Sequence, residues 1–111
     1  MIERTIFANL LFNEEYARKV IPFMRKDYFQ SRIDQTLFGL IDKFATKYNA
    51  FPTKEALRIE ASNAPGLTDD ELEKLIAQID ELHEAPADMQ WLLDETEKFC
   101  QEKAIYNAIY K

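Results

Sequence analysis

Apolar residues recur at helical spacing along most of the chain, and the breaks between these runs divide it into six predicted helices. Ile6, Phe7, Leu10 and Leu11 form one stripe of a first helix over Glu3–Phe12. Asn13 is placed to cap a second, with Glu14 and Glu15 at the positive end of its dipole and Tyr16, Val20 and Phe23 as its apolar side. Pro22 ends or kinks that helix near Val20, because proline lacks a donor and disfavours helical geometry in the residue before it. Asp27-Tyr28-Phe29 reads as an aromatic connector, with Ser31 as the next cap. Ile33, Leu37, Leu40, Ile41, Phe44, Ala45 and Tyr48 then trace the clearest amphipathic helix, the expected centre of the core. Gly39 inside it costs about 1 kcal/mol relative to alanine and suggests a close helix–helix approach. Asn49 suits the left-handed end of that helix.

Thr53 caps a short fourth helix carrying Ala56, Leu57 and Ala61, and Asn63-Ala64-Pro65-Gly66 is the strongest break in the chain. Thr68 and Glu71 form a capping box ahead of the stripe Leu72, Leu75, Ile76, Ile79 and Leu82. Ala85-Pro86-Ala87 interrupts it, and Asp88 caps a last, long helix with Trp91 in its first turn. The expected fold is therefore all-α: a compact bundle of about six helices with a long C-terminal helix. Residues 1–86 form a helical head, 87–111 pack on it as a long helix, and the whole is a single domain.

Leu92, Phe99 and Tyr106 repeat every seventh residue of the final helix, with Thr96, Lys103 and Tyr110 along the same side. Trp91, Cys100, Ala104, Ala108 and Ile109 occupy neighbouring positions, so the apolar surface wraps widely. Two readings follow: the broad surface closes the domain's own core, or its far half meets another helix or subunit. The helix reaches Tyr110 and Lys111 without a capping signal, the expectation for an element cut short.

Composition narrows the function. The chain has 111 residues, 47% hydrophobic, with two Gly and four Pro, too few turn residues for an all-β fold. No apolar run approaches the roughly 18 residues of a membrane span, and the N-terminus has no secretory pattern. The single cysteine, Cys100, fits a reducing cytoplasm. The net charge of −6 divides into +2 over residues 1–60 and −8 over 61–111. Such an acidic chain repels phosphate, so strong nucleic-acid binding is not expected. The acidic stretch from Asp69 to Glu84, with Asp69, Asp70, Glu73, Asp80, Glu81 and Glu84, is either solvated surface or a face for a basic partner. Arg18, Lys19, Arg25, Lys26 and Arg32 make the one locally basic region.

Residue chemistry points away from catalysis. Gly39 and Gly66 stand alone, so there is no phosphate-cradling loop. One histidine, His83, and one cysteine do not make a metal site, and no cofactor is expected. Cys100 has no histidine at helical spacing and reads as a small hydrophobe. Asp69/Asp70 and Asp94/Glu95 sit as helix-capping or solubilising acids, not as an acid/base pair.

Three segments carry a resemblance: FNEEYARKVIPFM (12–24) followed by DYF (27–29), FPTKEAL (51–57), and WLLDETEKFCQEKAIYNA (91–108). In order and spacing they resemble the start of T4-type phage replicative DNA helicases of the DnaB family, essentially along the whole chain. The resemblance implies an N-terminal domain whose helical head joins a helical hairpin, with hairpins pairing subunits into the collar of a ring hexamer. It also implies primase and loader as partners, the host cytoplasm as location, and an ATPase domain elsewhere, so that this segment itself has no catalysis. The final helix becomes the first arm of a truncated hairpin. Phe99, Tyr106, Ile109 and Tyr110 are its expected hairpin-facing set, and Trp91 and Leu92 lock it to the head. On its own the segment is expected to be a monomer or weak dimer. The alternative is a free-standing acidic phage protein that binds and inhibits a basic host protein.

Overall fold

The computed structural model describes residues 1–111, and six α-helices carry the fold: α1 (Ile2–Phe12), α2 (Glu14–Val20), α3 (Arg32–Tyr48), α4 (Lys54–Ser62), α5 (Asp69–Glu81) and α6 (Met89–Tyr110). Their starts are set by side chains. Asn13, Ser31, Thr53, Thr68 and Asp88 each accept a hydrogen bond from a backbone N–H in the first turn they precede, satisfying a donor that the helix itself leaves free. At Thr68 the capping box is complete: its hydroxyl accepts from Glu71 N–H and the Glu71 carboxylate accepts from Thr68 N–H. That backbone donor, reinforced by Arg32, holds the Glu71 carboxyl below its ordinary range. Asn49 ends α3 in the left-handed region at φ 51°.

Between α2 and α3 the chain makes two 3-10 turns, Ile21–Phe23 and Lys26–Tyr28. Pro22 permits the first and stops α2 at Val20. The second delivers Phe29 into the core, where its ring lies 4.9 Å from Phe7, 5.6 Å from Phe38 and 5.4 Å from Phe99. Side chains from α1, α3, α6 and the turn before α3 therefore meet at one aromatic centre. Around it pack Ile6, Leu10, Leu37, Ile41, Leu57, Leu75, Ile79 and Leu92, all fully buried.

Gly39 does not mark a close approach. A methyl group there would meet only the Lys26 Cδ, at 3.7 Å, an ordinary contact with a mobile side chain. α5 stops at Glu81, and residues 82–88 cross to α6 without helical structure. Leu82 plugs the core from this crossing. The buried Asn9 amide holds it by donating to the Ala85 carbonyl, 3.3 Å away, and to Thr5 O at 2.9 Å.

Candidate interaction surface

α6 is the element on which the candidate surface is built. At about 1.5 Å per residue its 22 residues span about 33 Å, close to the longest dimension of the molecule, 34 Å. Its head-facing side is Leu92, Thr96 and Phe99, all buried. One turn further, the Lys103 ammonium lies 5.8 Å from the Phe99 ring, and the Asn107 amide donates to the Asp27 carbonyl at 3.0 Å.

The seat of α6 on the head includes a buried polar pair. The Thr96 hydroxyl donates to the Leu92 carbonyl at 2.8 Å, leaving its oxygen to accept from the Tyr16 hydroxyl at 2.6 Å. Tyr16 is fully enclosed, and loss of water pushes its pKa up to about 12. Burial likewise pushes the neighbouring Cys100 thiol up to about 11, so the chain's one thiol is a poor nucleophile at neutral pH. Sequence reasoning placed Tyr16 on a buried stripe without finding this bond. Its partner lies 80 positions away, and nothing local pairs the two.

The predicted α6 residues divide. Ile109 and Tyr110 are 66% and 71% exposed and Tyr106 is 44% exposed, with the Tyr106 and Tyr110 rings packed on each other at 4.8 Å. Ile105, outside the predicted set, is 61% exposed beside them. Phe99 departs from its expected place: it is buried against Phe29 and faces the head. Trp91 also departs. Leu92 anchors the helix start, while the indole lies half exposed on its flank. Seven-residue spacing put Phe99 and Tyr106 on one seam, but an α-helix turns 3.6 residues per turn, so that seam drifts by about 20° per heptad. The head follows Leu92–Thr96–Phe99 and leaves the last two turns largely uncovered.

The six acids predicted as a partner face, all but Glu71 of the seven in 69–84, are not one free face. Asp70 pairs with Lys74 at 3.1 Å, Asp80 with Arg58 at 2.6 Å and Glu81 with Arg4 at 3.0 Å. Asp69, Glu73 and Glu84 are exposed without a cationic partner. Three of the basic residues between 18 and 32 are likewise engaged: Arg18 donates to the Asn49 carbonyl and side chain at 3.1 and 3.2 Å, Arg25 pairs with Asp27 at 3.2 Å, and Arg32, the first residue of α3, pairs with Glu71 at 2.9 Å. No helix is long and apolar enough to cross a membrane.

No family model matches the chain. Over 106 residues, 96% of its length, the chain is 34% identical to a DnaB-like replicative helicase of Enterobacteria phage T4, and it spans 22% of that protein. The resemblance carried by segments 12–29, 51–57 and 91–108 thus extends along nearly the whole chain.

Proposed function

Starting from that similarity to a DnaB-like replicative helicase, we propose that the chain is the N-terminal collar domain of a phage replicative helicase. In this reading it acts in DNA replication by binding and not by catalysis. It pairs subunits of a hexameric ring and recruits primase and loader in the host cytoplasm. The head, residues 1–86, orients α6, and residues 87–111 act as an arm. The near-full-length similarity carries the reading. The uncovered end of α6 supports it, because Ile105, Tyr106, Ile109 and Tyr110 leave apolar area in water that a neighbouring subunit would bury. The similarity also favours this reading over a free-standing inhibitor of a basic host protein, as does the internal pairing of Asp70, Asp80 and Glu81.

The test begins with the reading frame that encodes the chain. A phosphate-binding loop downstream in the same frame is expected; a stop codon after Lys111 would end the proposal. In the protein encoded by the whole frame, Ile109→Glu with Tyr110→Glu should convert a ring into smaller species by light scattering. The isolated chain should be a monomer or weak dimer over a concentration series, and a stable large oligomer would contradict it.

A further inference from the structure

A second apolar feature lies away from the exposed end of α6. A groove of about 560 Å³ runs between α2 with its following 3-10 turn and the N-terminal half of α6. Val20 and Met24 line one side, Leu93 and Cys100 the other. Phe23 stands over it with 75% of its surface in water. The local backbone accounts for this: in the 3-10 turn built on Pro22, Ile21 packs against the core and Phe23 is left outside.

The two lips of the groove differ in charge. On α6, Asp94 and Glu97 receive hydrogen bonds only from Gln90 and Gln101, at 2.8 and 3.2 Å, and no cation pairs with either. On α2, Lys19 is exposed and has no carboxylate within ion-pair distance, so it does not close across to the acids. An apolar trough edged by unpaired carboxylates complements a helix that carries an apolar stripe and a basic flank. We propose that this groove binds an amphipathic α-helix of a partner protein, its apolar stripe on Val20, Phe23 and Leu93 and a lysine or arginine of its flank on Asp94 and Glu97. The inference rests on the reading of the chain as a recruiting module and gives that module a partner site.

The probe is a pair of 18-residue helical peptides of about five turns sharing one leucine stripe, with lysine flanks in one and glutamate flanks in the other. Binding is read by fluorescence anisotropy and, in mildly alkaline buffer where the raised thiol pKa still allows slow reaction, by protection of Cys100, the chain's one thiol, from alkylation. The lysine peptide should bind and protect Cys100, and the glutamate peptide should do neither. Asp94→Lys with Glu97→Lys should weaken the lysine peptide by about tenfold or more, as should Phe23→Ala. Glu73→Lys with Glu84→Lys changes net charge equally but lies elsewhere, and should leave binding nearly unchanged. Circular dichroism checks that each variant is folded. Equal losses in the two charge variants, no binding of the lysine peptide, or binding without Cys100 protection would each overturn the proposal. So would self-association that disappears with Asp94→Lys, since a second copy would then be the occupant. Ring assembly is read separately through Ile109 and Tyr110, so either proposal can fail while the other stands.

Discussion

The bond between Tyr16 and Thr96 is the sharpest place to test how α6 is held on the head. Thr96→Val keeps side-chain volume and removes the oxygen that accepts from the Tyr16 hydroxyl at 2.6 Å. The phenol is fully buried, so its donor would be stranded without water. A stranded buried donor costs about 1–3 kcal/mol. Tyr16→Phe removes the donor itself. Thr96 would still donate to the Leu92 carbonyl, and the loss should be about 1 kcal/mol. The double variant replaces both partners by apolar groups and should be no worse than Thr96→Val alone. The expected coupling is thus on the order of 1–2 kcal/mol, with Tyr16→Phe rescuing Thr96→Val. Urea unfolding followed by helical circular dichroism measures all four proteins, with unchanged denaturant slopes as the control. Additive losses, or a Thr96→Val loss under about 0.3 kcal/mol, would refute the reasoning.

The same variants have an alkaline readout. In the folded chain the Tyr16 pKa is raised from 10.0 to about 12. A raised folded-state pKa contributes stability that is complete below the unfolded value and disappears as pH rises through the folded one. The window therefore runs from about pH 10 to 12, and a shift of two units is worth on the order of 2–3 kcal/mol. Tyr16→Phe should lose stability less steeply than the wild type across that window. The Cys100 thiol, raised to about 11, is present in both proteins and cancels from the comparison.

Three further substitutions test the packing of α3 and α6. Gly39→Ala should stabilise the chain by about 0.5–1 kcal/mol in the same assay, because the added methyl meets only the Lys26 Cδ at 3.7 Å; a loss of stability would reveal a steric conflict that the packing around α3 does not contain. Phe99→Ala should cost about 3–5 kcal/mol, whereas Tyr110→Ala should change the stability of the isolated chain by less than about 0.5 kcal/mol. Similar effects at the two positions would mean that α6 is not anchored through Phe99.

What sequence alone determined here is local. Asn13, Ser31, Thr53, Thr68 and Asp88 were legible as caps because a cap acts within the next three residues. Pro22, Asn49 and the stripes of α3 and α5 were legible for the same reason: backbone geometry and a 3.6-residue period depend on neighbours in the chain. The apolar end of α6 was visible as a broad surface, open between the domain's own core and a second neighbour. What the tertiary structure decided is which of several possible neighbours each side chain meets. It set Phe99 against Phe29 and left Trp91 half outside, though the hairpin reading expected the reverse. It gave Gly39 only a lysine stem for company and tied Asp70, Glu71, Asp80 and Glu81 of the 69–84 stretch to cations. It joined Tyr16 to Thr96 across 80 positions. The physical reason is that a helix presents its whole circumference, and the sequence period shows which side is apolar. How far the head reaches along that side, and which polar atoms it strands or pairs there, depends on contacts between segments far apart in the chain. At α6 the head reaches Phe99 and, through one amide, Asn107; the apolar surface beyond is where the chain has room for a neighbour.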